Sequence, residues 1–382
     1  MESIYLKKHH YELIEKVREF AQREIAPVAR ELDDKEEFSV DLTRKMGQLG
    51  LFGMYLPEKY GGRNSDFLSL VLAIEELSKV DSSQASTVAA HNALGIGPVY
   101  NFGTEAQKEK YLRDFSTGEK IWAFGLTETN AGSDSRGTET TAVRDGEDFV
   151  INGSKIFISN ASSPISAGVT IQVVTGTQNG RPELTTLLLD RNTPGYTTER
   201  ITGKLMWRAS DTAKLHFDNC RVPASNVLGE LGKGSRVMLQ TLETGRLLIA
   251  AMGLGLAEGA FQMAMDYSKK RSQFGHPIAK FQAISFKLAD MATKIESTRH
   301  LLYHATWLKD IGKPFAKESA MAKLYASEVA KEVADEAVQI HGAYGLVKDH
   351  PIERFYRDQR LLQVGEGTSE IIRLVISRQI GC

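Results

Sequence analysis

An α+β multidomain architecture is predicted, with a helical N-terminal domain (1–120), a small all-β middle domain (121–229) and a C-terminal helical bundle (230–382). Three observations predict it. Apolar residues recur at helical spacing through the first third of the chain. The period switches to alternation, punctuated by X-Gly pairs, after Ile121. Long helical rows return beyond Gly234. At 382 residues the chain is too long for one ordinary core, so two or three domains are expected.

In the N-terminal part, Leu13, Val17 and Phe20, with Ile14, Ala21 and Ile25 beside them, predict a helix over 11–30 that Pro27 kinks or ends. Residues 41–49 read as a second helix, and Leu56-Pro-Glu-Lys-Tyr-Gly-Gly62 supplies a turn. Helical patterns follow at 67–80 and 82–99. The later one carries Ala85, Ala89, Ala90 and Ala93, small residues that let a helix or a ligand approach closely. A short helix within 103–118 leads to the domain boundary near Lys120.

The middle domain opens on a strand-like stretch, 122–126, that runs into Thr127, Glu128 and the turn-rich Asn130-Ala-Gly-Ser-Asp134. Short side chains and a glycine leave backbone N–H groups free to face a polar, planar or phosphorylated ligand. The plainer reading is a surface turn between strands. Residues 141–144, 149–151 and 155–159 read as strands joined by hairpin signals at Asp145-Gly146 and Asn152-Gly153. Further strands are expected at 169–175, 184–189 and 214–217.

Beyond Gly234, Phe281, Ile284, Leu288, Met291 and Ile295 form one helical row, and Met321, Tyr325, Val329, Val333 and Ala337 another. Pro277, Pro314 and Pro351 fall near the junctions, and long helices with short connections argue for an antiparallel bundle. The glycines at 229–234 and in Gly253-Leu-Gly-Leu-Ala-Glu-Gly259 do not make a Rossmann site. The first group lacks a βαβ strand before it, and the second sits in a helical run where glycine permits close packing.

Composition narrows the function classes. With 42% apolar and 25% charged residues, and 47 basic against 48 acidic side chains, nothing calls for nucleic acid or an anionic membrane. Two cysteines, Cys220 and Cys382, argue against a disulfide framework and for a reducing interior. The N-terminus lacks the apolar core of a signal peptide, and no apolar run is expected to span a bilayer. A bacterial cytoplasm is the simpler setting, with a processed mitochondrial matrix form left open. No HExxH, paired CxxC or Walker loop is present, so no metal is expected.

Glu366 lies in Val364-Gly-Glu-Gly-Thr-Ser-Glu370, just ahead of a helical run at 371–376 that Thr368 or Ser369 can cap. From local sequence alone the acid reads as a complement to the helix dipole. By the same standard Arg271 is a solvated helix end, and Glu243 with Arg246 is an exposed ion pair.

Five motifs change that balance. Gly125-Leu-Thr-Glu128 with Ala131-Gly-Ser-Asp134, Arg271-Ser-Gln-Phe-Gly275, Leu288-Ala-Asp-Met291, and Arg357-Asp358 ahead of Glu366-Gly-Thr-Ser-Glu370 resemble those of the acyl-CoA dehydrogenase family, in its order and across nearly the whole chain. In character the chain is most similar to bacterial short-chain, butyryl-type members. The resemblance implies the same α, β, α order, with a barrel-like middle domain and a four-helix bundle at the end. It also implies FAD as cofactor, acyl-CoA as substrate, an electron-transfer flavoprotein as partner and a homotetramer built as a dimer of dimers. Such an enzyme forms a trans-2-enoyl-CoA: a carboxylate takes the α proton and the cofactor takes hydride, which no side chain accepts.

The resemblance makes Glu366 the catalytic base. Another position that carries the base in some members is Gly245 here, which has no side chain to do so. It assigns Thr127, Ser133, Phe157 and Ser159 to the flavin, with Phe157 where tryptophan is common and Ser159 where threonine is. Arg271, Gln273 and Phe274 would reach the FAD of a neighbouring subunit, and Gln339, Thr368 and Glu370 complete the cofactor set. Ser133, Glu243, Arg246, Gly365, Glu366 and Gly367 would contact substrate. Gly365 replaces a tyrosine frequent in short- and medium-chain members, which would widen the pocket beside the thioester, unless the glycine simply relieves backbone strain. Ala85 stands where glutaryl-type members carry an arginine, which argues against a dicarboxylic substrate. Two competing readings remain. A same-fold oxidase or monooxygenase would usually lack the glutamate if of the monooxygenase kind, and a catalytically silent binding subunit should have lost Glu366 or the flavin hydroxyls.

Overall fold

The computed structural model describes residues 4–382. Helices α1 (Lys8–Phe20), α2 (Ala29–Lys35), α3 (Val40–Leu49), α4 (Phe67–Ser78), α5 (Ser82–Ala90), α6 (Gly97–Phe102) and α7 (Glu105–Phe115) form the first part. Their starts are set by short polar caps. Ser39, Asp66, Asp81 and Thr104 each accept from the backbone N–H three residues on. The single helix expected over 11–30 is interrupted by a wide π-helical turn, Ala21–Ile25, just before Pro27. The helix expected over 82–99 is likewise opened by a π-turn at His91–Ile96. Side chains account for that opening. Asn92 donates to Leu51 O and Val88 O, both at 2.9 Å, and accepts from Gly53 N at 2.8 Å, while His91 Nδ1 accepts from Trp122 N at 3.0 Å.

Strands β1 (Ile121–Gly125), β2 (Thr141–Asp145), β3 (Asp148–Ser159), β4 (Ser166–Gln178), β5 (Arg181–Asp190), β6 (Tyr196–Arg200) and β7 (Thr212–Pro223) form a curled seven-stranded sheet. The order is β1-β4-β2-β3-β7-β6, with β5 paired to β4. Asp145-Gly146 turns the chain as expected, since Asp145 pairs with Asp148. Asn152-Gly153 does not. β3 continues through it, and the pairing with β7 slips there as a bulge that Gly153 absorbs at φ 142. Strand β6 carried no sequence signal strong enough to be expected.

Helix α8 (Gly234–Lys270), the two-residue strands β8 (Ser272–Gln273) and β9 (His276–Pro277), and helices α9 (Gln282–Asp310), α10 (Ala316–His341), α11 (Ile352–Asp358) and α12 (Ser369–Gln379) complete the chain. Helix α8 corrects the expectation that no apolar run can span a bilayer, because by length and composition it qualifies. Most of that stretch is instead buried in protein, packed on α4 and α10. Its glycines do permit close packing, for a Cβ on Gly255 would lie 2.2 Å from the Glu75 carbonyl oxygen. On α10, Val329, Val333 and Ala337 of the expected row are buried, together with Ala322, Ala326, Ala330 and Ala334, whereas Met321 is half-buried and Tyr325 is exposed. An alanine stands where α8 comes near, since a Cβ on Gly253 would lie 3.0 Å from the Ala326 carbonyl oxygen.

Sheet and helices are joined by a few directed bonds. Trp207, after β6, donates its backbone N–H to Asp358 Oδ1 at 2.8 Å and its indole N–H to Asp358 O at 3.1 Å. Asn160, at the end of β3, donates to Thr87 O on α5 at 3.2 Å. A buried ionic layer ties α4, α8 and α9. Arg299 and Tyr303 both donate to Glu75 at 2.8 Å, and Lys79 lies 2.5 Å from Glu258.

Candidate active site

Glu366 stands in the loop before α12, whose N-cap Thr368 accepts from Ile371 N at 3.3 Å. The backbone turns left-handed at Glu366, φ 52, and again at Gly367, φ 102. Glu366 Oε2 is closed off from solvent and has no hydrogen-bond partner among the described residues. Opposite it is Gly245 on α8, where a Cβ would lie 1.9 Å from Oε2. Positions 245 and 366 therefore converge on one point in space, and glycine at one makes room for the carboxylate of the other.

Burial pushes the Glu366 carboxyl up to about 7, against the opposing charges of Arg246 and Lys323. The reading of Glu366 as a solvated dipole complement is thereby corrected. So is the exposed Glu243–Arg246 ion pair. Arg246 is buried, its Nε lacks a hydrogen-bond partner among the described residues, and no ion pair joins it to Glu243 there. Burial also raises the half-buried Glu243, with Arg246 acting in the opposite direction.

Gly365 does not relieve strain. Its φ is not left-handed, and a Cβ there would meet only Leu361, at an ordinary 3.5 Å. The strain sits one and two residues later. A methyl at Gly245, by contrast, has no room beside the carboxylate. Gly245→Ala is expected to lower turnover about 100-fold, the scale of a misplacement of about 1 Å at a reacting group. Steady-state kinetics alongside a melting curve will show whether activity falls while the fold holds.

A second group forms around residues 127–140. Glu128 is buried, and its carboxylate accepts from Glu139 N at 2.6 Å, Thr140 N at 3.1 Å and Lys155 Nζ at 2.6 Å. Lys155 is completely buried on β3. Ile156 N donates to Thr127 O at 2.9 Å, and Gln172 on β4 donates to Ser135 O at 2.7 Å. The loop carrying Ser133 is thus tied to two strands. Beside it Phe157 takes a left-handed φ of 60 and leaves its ring 65% exposed, with half-buried Ser159 two residues on. An exposed aromatic side chain two residues from Ser159, on a strand whose Ile156 N–H bonds Thr127 O, offers a flat apolar face to a planar partner. Glu128 and Lys155 received no role from the sequence, where the available signal was a lysine leading the apolar run Ile156-Phe-Ile158.

Arg271, Gln273 and Phe274 lie elsewhere. They begin just past the end of α8, 26 residues beyond Gly245, roughly 39 Å at the α-helical rise. All three are exposed, Phe274 by 91%, and the Arg271 guanidinium lies 5.8 Å from the Tyr344 ring centre. Gln339 on α10 and Glu370 on α12 are exposed, and Thr368 is half-buried.

Among the described residues one trio has metal-ligand chemistry, His9, His10 and Asp66, with donor atoms within 4.8 Å. Lys7 N donates to His10 Nδ1 at 3.0 Å, which places the ring proton on Nε2, and Nε2 points at Asp66 Oδ1, 3.0 Å away. That nitrogen has no lone pair to offer an ion.

Fold and site together define a three-domain enzyme with a buried carboxylate at its centre. The sequence matches the profiles "Acyl-CoA dehydrogenase, N-terminal domain" over 7–119, "middle domain" over 123–220 and "C-terminal domain" over 232–381. A probable acyl-CoA dehydrogenase of Bacillus subtilis is 45% identical over 98% of both chains. The solved butyryl-CoA dehydrogenase of Megasphaera elsdenii superposes with a TM-score of 0.95 at 41% identity, covering 100% of each chain. A structure described under the electron transferring flavoprotein of Acidaminococcus fermentans, in work on flavin-based electron bifurcation, gives 0.96 at 42%, again over 100% of each. The chain belongs to the acyl-CoA dehydrogenase family, FAD-dependent oxidoreductases that act on CH–CH donors.

Proposed function

We propose that this chain oxidises a short acyl-CoA thioester to its trans-2-enoyl-CoA, with Glu366 as the base that removes the α proton. The observation that carries the reading is Glu366, whose Oε2 is closed off from solvent without a hydrogen-bond partner among the described residues and whose carboxyl is raised to about 7, which is where a base for a weak carbon acid at neutral pH works best. Bound FAD supplies the hydride acceptor that no side chain can provide. Thr127, Ser133, Phe157 and Ser159 hold the flavin end. Arg271, Gln273 and Phe274, too far from Glu366 to serve their own chain's site, reach a neighbour's cofactor with Gln339, Thr368 and Glu370 in the rest of the set, which supports a homotetramer. Ser133, Glu243, Arg246, Gly365 and Gly367 line the thioester end with Glu366. Electrons pass to an electron-transfer flavoprotein, in keeping with the relative of that association. Cys220 and Cys382 are both free, which suits a reducing compartment such as a bacterial cytoplasm.

The test is an anaerobic titration of the holoprotein with straight, branched and cyclic saturated acyl-CoA esters, read by bleaching of the flavin band. Bleaching by short esters supports the reading. A yellow protein that no ester bleaches, or one that turns over only with oxygen, points to the silent or oxygen-using alternatives.

Gly365 governs the acyl shape that fits. Its open Cβ direction means that Gly365→Ala should leave stability within about 0.5 kcal/mol. Gly365→Tyr should cut kcat/KM for branched esters roughly tenfold or more relative to butyryl-CoA, the scale of a lost pocket methylene or two. Equal losses on both substrates would remove Gly365 from the pocket wall. Ala85, fully buried on α5, offers no cation for a second carboxylate.

A further inference from the structure

Lys323 of α10 has no exposed surface, and its Nζ donates to the carbonyl oxygen of Gly367 at 2.6 Å. Burying an ammonium costs several kcal/mol in general, and a methionine of similar volume would fill the same space without that cost. The lysine therefore has to be explained by its charge or its bond. Both point at the neighbouring residue. Gly367 O belongs to the peptide that joins Gly367 to Thr368, one residue past Glu366, and Glu366 holds a left-handed φ of 52, a conformation that is unfavourable for a residue with a Cβ unless its surroundings fix it. On the C-terminal side Thr368 caps α12, and the Lys323 bond holds the peptide between that cap and Glu366.

We propose that Lys323 is a positioning residue for the base, fixing the left-handed turn that aims the Glu366 carboxylate at Gly245 and supplying the buried positive charge that lets it ionise there. The proposal rests on the reading of Glu366 as the base. The charges around the carboxylate are few. Arg246 faces it from α8 and Lys323 from α10, and both favour its ionised form. Glu328 of α10 and the exposed Glu370 of α12 act on Lys323, and Glu243 acts on Arg246. Lys323 itself is brought down to about 8 by burial, with Glu366 as the leading opposing charge, so it carries its proton at neutral pH.

The deciding experiment is an infrared titration of the holoprotein. The difference between the native protein and Glu366→Gln isolates the Glu366 carboxyl, and the same pair is then compared in the Lys323→Met and Lys323→Gln backgrounds. Removing the cation should move the Glu366 midpoint up by at least one pH unit, a tenfold gain in proton affinity. The acid limb of kcat/KM should move with it, while KM changes less than threefold. Lys323→Gln, which keeps a donor for Gly367 O, should show the same midpoint shift with a higher kcat than Lys323→Met, and it decides the matter if the methionine variant does not fold. An unchanged midpoint in the folded variants would overturn the proposal and leave Lys323 as packing alone. The infrared midpoint needs no substrate. A native protein that oxidises no acyl-CoA sinks the dehydrogenase reading without touching this result.

Discussion

Replacing Glu366 by glutamine is expected to lower the rate of flavin reduction by acyl-CoA about 10⁴-fold, the upper range for loss of a positioned general base. Glutamine keeps the size of the side chain and removes its basicity. Because Glu366 Oε2 has no hydrogen-bond partner among the described residues, an amide there breaks no bond seen in the fold. Cofactor content and the midpoint of thermal unfolding should therefore stay close to those of the native protein. Single-turnover stopped-flow absorbance under anaerobic conditions measures the effect, and a residual rate within tenfold of native would dismiss Glu366 as the base. The pH profile carries the same argument. Only the ionised carboxylate accepts a proton, and burial lifts its pKa from the ordinary 4.5 to about 7. For the free enzyme, kcat/KM should fall tenfold per pH unit below about 7 and level off above it. An acid limb near 4.5 would mean that the working base is a solvated carboxylate elsewhere. Arg246→Gln removes one of the charges that oppose the rise, so its acid limb should lie above the native one.

The second large effect is expected at Lys155. Lys155→Met leaves Glu128 buried beneath the loop without its cation, and breaking a buried ion pair from one side costs about 3–5 kcal/mol. The loss should appear in urea unfolding of the sheet and, more directly, as weaker FAD retention, because residues 127–140 lose one of their ties to β3. Glu128→Ala should be at least as damaging, since it also strips Glu139 N and Thr140 N of their acceptor. A change below about 1 kcal/mol in both variants would show that the pair is dispensable. The pH window follows from the two shifts. Burial works to raise Glu128, but Lys155 and the two amides outweigh it and hold the carboxyl below its ordinary range. Its contribution to stability is therefore present above that range and is lost as pH falls through the depressed folded value. Burial brings Lys155 down to about 8 despite Glu128. Above that value, and up to the ordinary 10.5, the folded protein sheds a proton that the unfolded chain still holds, so the lysine's contribution to stability rises with pH. Stability from this pair should therefore be lost in acid, as Glu128 protonates, and should not fall as pH rises through about 8.

How far the sequence could be read depended on the range of the physics involved. Helices α3, α4 and α7 were legible because cap and apolar spacing lie within one or two turns of each other. The hairpin at Asp145-Gly146 was legible because a two-residue turn decides its own register. The same local logic failed at Asn152-Gly153, where pairing with β7, some sixty residues later in the chain, overrode the turn signal. It failed again at His91 and Asn92, whose bonds to Leu51, Gly53 and Trp122 open the helix from outside. Spacing alone put Tyr325 in one inward row with Val329, Val333 and Ala337; those three are buried, but Tyr325 is exposed.

By itself, the sequence determined the three-part order, the segment that carries Glu366, and, through motif resemblance, the residues to examine for cofactor and substrate. Only the tertiary structure decided their states. Whether Glu366 is a solvated acid or a base near neutrality depends on desolvation, and desolvation is set by Gly245, Arg246 and Lys323, residues 43 to 121 positions away in the chain. Spacing along a chain fixes which face of a helix a side chain occupies. The dielectric around a charge is fixed by what other elements bring to it, and that becomes defined only when the domains close on one another.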